Sequence, residues 1–144
     1  MTETEERQAI VKEALSWQRT RYAHMGRVKG AGTDCGMFLL EVWERCGLTE
    51  RINIPYYPFD IAANCSDPMY LNFIEKYCKK IDREAKPGDI LVYKFLGSKV
   101  PHHASIVIDA EYICHAWVRQ GVILSNRKGY KKYEVGLYDF WAGV

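Results

Sequence analysis

Cys35 is the residue whose setting points most directly to chemistry. In Gly32-Thr33-Asp34-Cys35 it falls in the first turn of a predicted helix, where unpaired backbone N–H groups and the macrodipole favour a negative sulfur. A free cysteine, with a pKa of about 8.5, is only a few per cent thiolate at neutral pH, so a helix start and an adjacent imidazolium are means of making it a nucleophile. On that tetrapeptide alone, Cys35 reads equally well as a half-buried core residue that begins an apolar stripe. The second half of the chain supplies candidate partners. Pro101-His102-His103-Ala104-Ser105-Ile106-Val107-Ile108 begins one predicted strand, and Ile113-Cys114-His115-Ala116-Trp117 lies in the next. If the turn around Asp109 to Glu111 has odd length, residue 115 lies opposite 103 or 105 and shares its face. His103 is then the base, His115 the group that orients it, and His102 projects from the other face. An even-length turn reverses that parity. A cysteine on a helix start, a histidine on a sheet and a third polar group one strand further on suit acyl transfer through a thioester.

These residues need a helix, a sheet and a hinge of chain between them. The first helix is predicted over about Glu3 to Gln18, with Ile10, Val11, Ala14, Leu15 and Trp17 or Gln18 on a partial stripe and acids at its N-terminal end. A polar, glycine-bearing loop follows from Tyr22 to Thr33. The second helix starts at the N-cap Asp34, carries Cys35, Phe38, Leu39, Val42 and Cys46 on one face, and stops at Gly47. Residues 51 to 66 read as a long ordered loop, with Tyr56, Tyr57 and Phe59 as core or cleft wall. The stretch from about Arg51 to Lys80 is long for a connection and could cover or narrow a cleft. Asp67-Pro68 marks the cap and first position of a third helix with Tyr70, Phe73, Ile74, Tyr77 and Cys78 buried. Beyond Lys86-Pro87-Gly88 come short β-rich runs at Asp89 to Phe95, His103 to Asp109, Tyr112 to Val118, Val122 to Ser125 and Tyr133 to Tyr138. Helices first and strands second predict an α+β fold, with N-terminal helices packed on a C-terminal antiparallel β-sheet.

Composition narrows the function classes. A chain of 144 residues, 48% hydrophobic and 13% aromatic, has the apolar material for one full core and reads as a single domain over 1–144. Twenty basic against 18 acidic side chains leave a formal charge of only +2, with no dense Lys/Arg block, so no nucleic-acid partner is expected. No run approaches the roughly 20 apolar residues of a membrane span, and MTETEERQ is unlike a secretory leader, so no membrane association and synthesis in a bacterial cytoplasm without a signal peptide are expected. Five cysteines without a CxxC pair do not form a disulfide framework; Cys46, Cys78 and Cys114 sit in apolar patterns as small core residues.

Taken together, Tyr22 ahead of a glycine loop, Gly30-Ala31-Gly32-Thr33-Asp34-Cys35, Lys86-Pro87-Gly88-Asp89-Ile90-Leu91, His103-Ala104-Ser105-Ile106-Val107 and Ile113-Cys114-His115-Ala116 resemble the NlpC-type papain-like cell-wall peptidases. The similarity is to the short versions found in phage tail and gene-transfer modules. It implies a papain-like fold with Cys35 as nucleophile, His103 as general base, His115 as third polar residue and Tyr22 beside the oxyanion pocket. The implied substrate is the peptidoglycan stem peptide, cut between D-γ-glutamyl and a diamino acid, with phage tail proteins as implied partners. The chemistry requires neither cofactor nor metal. Asp34 reads as a helix cap or as a carboxylate that also receives a substrate amine. The chain departs from the family pattern at Asp34-Cys35-Gly36-Met37-Phe38, where Asp-Cys-Ser-Gly-Phe is common, and at His24-Met25-Gly26, where Trp-Gly-Gly is common. Three other readings stand beside hydrolysis: acyl transfer to an amine or alcohol on the same site, a zinc-binding module using Cys35, His103, His115 and Cys114, and a catalytically silent binding module.

Overall fold

The computed structural model describes residues 1–57 and 69–142. Helix α1 spans Glu3–Ser16, and it starts where Thr2 and Glu5 form a reciprocal capping box. Ile10 and Ala14, with Trp17 at the cap, are fully buried on its inner face. A two-residue hairpin, β1 (Arg27–Val28) with β2 (Gly32–Thr33), structures the glycine-bearing loop. Helix α2 spans Cys35–Arg45 and α3 Met69–Tyr77. α2 buries every side chain from Met37 to Trp43, so it is the central helix of the core. The expected cap at Asp67-Pro68, Phe59 and the loop beyond Tyr57 lie outside the described residues.

Six strands form one antiparallel sheet: β3 (Lys79–Ile81), β4 (Ile90–Tyr93), β5 (His103–Val107), β6 (Tyr112–Trp117), β7 (Gly121–Asn126) and β8 (Glu134–Asp139). Their spatial order is β3-β8-β4-β5-β6-β7, with the last strand returning to sit between β3 and β4. The α+β reading and the five predicted strands agree with this architecture; β3, polar and three residues long, was not anticipated. One face carries Ile90, Val92, Ala104, Ile106, Cys114, Ala116 and Tyr138 into the core shared with the helices. The opposite face carries Leu91, Tyr93, Val107 and Ile113 into a second, smaller cluster walled by Phe95, Tyr130 and Tyr133. Among the described residues no helix is long and apolar enough to cross a membrane.

Two devices join the N-terminal helices to the sheet. Gly121, at the β6–β7 turn, has φ +78°, and a Cβ there would lie 2.3 Å from the Thr20 carbonyl oxygen. Only glycine lets Val122 donate to that oxygen at 2.8 Å. The second device is ionic: the Arg7 guanidinium of α1 donates to Asp89 at 2.8 Å, to the Pro87 carbonyl at 2.9 Å and to Asp139 at 3.3 Å. Arg83 bridges the same two carboxylates at 2.8 and 2.6 Å, and the Lys86 N–H donates to Asp89 at 2.7 Å. The Asp of the Pro-Gly-Asp turn thus fastens α1, β4 and the end of β8 to one another.

Candidate active site

Helix α2 begins at Cys35 because Asp34 holds extended backbone (φ −105°, ψ −178°) and its Oδ1 accepts from the Met37 N–H at 2.8 Å. The other oxygen accepts from the Met25 N–H at 2.8 Å and from the Tyr57 hydroxyl, with His24 Nδ1 4.0 Å away. Both carboxylate oxygens of Asp34 are therefore engaged by the chain itself. A substrate amine reaching Oδ2 would have to displace the Tyr57 hydroxyl.

The cap places Cys35 over the start of β5. Its thiol donates to the His102 carbonyl at 3.6 Å, and no hydrogen bond closes between the sulfur and the imidazole of His103, the next residue. Tyr22, held by a bridge to Thr33, and Tyr70 of α3 bring their hydroxyls to the same sulfur. In the β5–β6 hairpin, Ile106 pairs with Cys114 and Val107 with Ile113, so the connecting turn has odd parity and register places 105 opposite 115. His103 and His115 consequently share a face, as the hairpin reading expects. His103 Nε2 lies 2.7 Å from His115 Nδ1, and His115 Nε2 lies 2.9 Å from Ser125 Oγ on β7. Tyr93, Phe95 and Trp117 pack around the His103 ring with centroids 5.2–5.7 Å away.

Ser125 was not among the residues singled out from the sequence. The signal for it is the β6–β7 register, which sets Trp117 opposite Gly121 and Ile113 opposite Ser125, bringing the serine diagonally beside His115. The pair of nitrogens and the hydroxyl define a direction. If Ser125 accepts the His115 Nε2 proton, His115 Nδ1 presents its lone pair to the His103 Nε2–H, and His103 Nδ1 is left basic.

One expectation is corrected. Burial pushes the Cys35 thiol up to about 12, with the neighbouring Asp34 carboxylate adding to it and the Tyr70 and Tyr22 hydroxyls only partly opposing. A macrodipole contribution of about 0.3–1 kcal/mol is too small to reverse burial, so the resting sulfur is a thiol rather than an anion. His103 is held well below the ordinary imidazole range, first by burial and then by His115 and His102, and burial lowers His115 to about 4. The resting pair is neutral thiol and neutral imidazole. His102 falls outside the strand whose parity the sequence reading used. It precedes β5, and its ring packs on Phe95 at 5.6 Å, a residue that also touches His103 at 5.7 Å.

Cys114 lies on the helix-facing side of β6, its thiol directed at the Ala14 carbonyl at 3.6 Å, so the four ligands of the zinc reading are not gathered. Among the described residues no three His, Cys, Asp or Glu are placed to hold a metal ion. Cys78 and Cys114 are buried, while Cys46 at the end of α2 is half-buried.

No protein-family model and no curated protein sequence matches this chain. Solved structures do. The NlpC/p60 domain of the peptidoglycan hydrolase SagA superposes with a TM-score of 0.65 at 22% identity, over 92% of this chain and 97% of that one. An NLP/P60-family lipoprotein-like protein from Staphylococcus aureus gives 0.64 at 19% identity, over 96% of this chain, and NlpC1 from Trichomonas vaginalis gives 0.69 at 12%, also over 96%. The chain spans 42% and 45% of those last two proteins. Its fold is that of the NlpC/p60 domains, the papain-like α+β architecture.

Proposed function

We propose that residues 1–144 form one cysteine peptidase domain that hydrolyses peptidoglycan stem peptides, at the bond between D-γ-glutamyl and a diamino acid. The observation that carries this is the Cys35 thiol at the start of α2, set against the first residues of β5, where His103, His115 and Ser125 form a hydrogen-bonded line. The fold is shared with SagA, a peptidoglycan hydrolase. The resemblance to short phage-tail versions supports delivery by a tail, with tail proteins as partners and the cell wall as the place of action.

In this reading His103 takes the thiol proton as the Cys35 sulfur attacks the stem-peptide carbonyl. Because the resting pair is neutral, proton transfer accompanies attack instead of preceding it. The Cys35 N–H and the Tyr22 hydroxyl receive the developing oxyanion. His103 returns the proton to the departing amine, and water then cleaves the thioester with His103 again as base. The hydrogen bond from thiol to His102 carbonyl must open first, and such realignment on substrate binding is common in free sites of this kind. Incubation with a defined stem tetrapeptide and mass analysis of the products tests the reading, since hydrolysis yields a free γ-glutamyl carboxylate. An added amine recovered in the product would instead establish acyl transfer.

Ser125→Ala should lower kcat about tenfold with KM little changed, because the His115 tautomer is no longer held while the substrate surface is intact. Ser125→Thr, which keeps the hydroxyl, should restore most of the rate. Equal loss in both variants would show that packing at the site, and not the hydroxyl, matters.

The pH dependence has a definite sign. An unfolded histidine titrates near about 6.5, and both buried imidazoles titrate lower in the folded chain, so the unfolded state binds protons first as pH falls. Their contribution to stability is complete above about pH 6.5 and declines as pH falls toward the folded values, about 4 for His115. Urea midpoints should drop through that window, and the acid limb of kcat/KM should lie well below the ordinary histidine range. An acid limb centred near neutrality would contradict the neutral resting pair.

A further inference from the structure

We infer that Tyr70 is a further catalytic residue of this site, a hydroxyl donor to the oxyanion formed on the substrate carbonyl, and that Gly36 is the residue that makes room for it. The inference rests on the peptidase reading. Tyr70 belongs to α3, in the long segment between α2 and the sheet, and its ring lies across the first turn of α2. A Cβ at residue 36 would meet the Tyr70 ring edge at 3.3 Å, closer than ordinary van der Waals contact, so the serine common at this place would press on the ring. The departure at Gly36 and the position of Tyr70 are thus two sides of one contact.

The hydroxyl itself is unusual. Tyr70 Oη is fully buried and closes no hydrogen bond, one of few such side-chain atoms among the described residues. The polar groups that act on it are the Cys35 sulfur first and the Asp34 carboxylate after it. Leaving a buried hydroxyl unsatisfied costs about 1–3 kcal/mol, so a native structure that keeps one needs a compensating reason. An oxyanion beside Cys35 supplies it: the donor is unmatched in the free site and matched when the carbonyl becomes tetrahedral. That is stabilisation specific to the transition state, because a neutral thiol is a weak acceptor while a full negative charge on oxygen is a strong one. Tyr22 approaches the same sulfur from the β2 side, so the two phenols flank the reacting centre.

Tyr70→Phe removes the hydroxyl and keeps the ring. Removing one oxyanion donor should lower kcat on the stem tetrapeptide about 100-fold, with KM within a few-fold. Thermal stability should be unchanged or higher, since an unsatisfied buried group has been deleted. Gly36→Ala, which displaces the ring, should show a similar kcat loss, and the double variant should lose little more. Full activity in Tyr70→Phe, or a faster enzyme, overturns the inference while leaving the peptidase reading intact. A wild-type chain inert on the tetrapeptide, whose Cys35 still reacts, removes that reading instead. In that event the alkylation rate of Cys35 by iodoacetamide at fixed pH decides. Several-fold slower labelling in Tyr70→Phe supports a hydroxyl that donates to developing negative charge at this sulfur, and an unchanged rate overturns it.

Discussion

Cys35→Ala is expected to abolish stem-peptide cleavage, a loss of at least about 10⁴-fold in kcat, while the protein remains folded. The loss is complete because the covalent route disappears with the sulfur: no other described side chain stands at the start of α2 with a hydrogen bond to the β5 end. The fold survives because Cys35 is only half-buried and its thiol bond to the His102 carbonyl is a weak one. His103→Ala should cost about as much, and combining the two should add little, since the thiol and its base act as one unit. His102→Ala leaves in place the carbonyl that holds the thiol and should lower the rate far less than His103→Ala. Release of shorter peptides, followed by mass spectrometry beside circular dichroism of each variant, reads all four outcomes. Cleavage retained in Cys35→Ala would end the peptidase proposal.

Asp89→Ala is expected to be the most destabilising single substitution outside the apolar core. Asp89 is fully buried and accepts from Arg7, Arg83 and the Lys86 N–H, while the Arg7 side chain is only 8% exposed. Removing the carboxylate leaves Arg7 buried with the neutral Pro87 carbonyl at 2.9 Å, the 3.3 Å contact to Asp139 and the rim contact to Glu3. Breaking a buried pair in this one-sided way costs about 3–5 kcal/mol, because the surviving charge has lost its water and its partner. Against the roughly 5–15 kcal/mol that holds a domain together, this should lower Tm by about 10 °C. Urea unfolding monitored by tryptophan fluorescence measures it directly. Asp89→Asn keeps hydrogen-bond acceptance without the charge and should fall between. A loss under about 1 kcal/mol would mean that Arg7 finds water, and that its stacking on Trp141 at 4.1 Å does more of the fastening than the carboxylate.

Local patterns were readable where the determinant lies within a few residues. The Asp34 cap closes over three positions onto Met37, so the start of α2 was legible from residue type, and the acids near the start of α1 marked that helix without revealing its Thr2–Glu5 capping box. The strands from Ile90 to Trp117 announce themselves by apolar, β-branched runs, and the parity of the β5–β6 turn was one of two alternatives visible in the spacing of His103 and His115. β3 was not legible, because Lys79-Lys80-Ile81 has no strand pattern and exists by pairing with Leu137 to Asp139. Nor was Ser125: its place beside His115 needs two registers in succession.

From sequence alone came the order of elements and the placement of Cys35 at a helix start, since caps and periodicities act over one or two turns of chain; the grouping of His103 with His115 stood as one of two parities until the β5–β6 register selected it. Tertiary structure decided the insertion of β8 between β3 and β4, the approach of Tyr57 and Tyr70 to Asp34 and Cys35, and the neutral resting state of the sulfur. The last of these is the clearest case. A helix start favours an anion by a local field, but desolvation is set by everything packed around the atom, and here that surrounding comes from three distant segments of the chain.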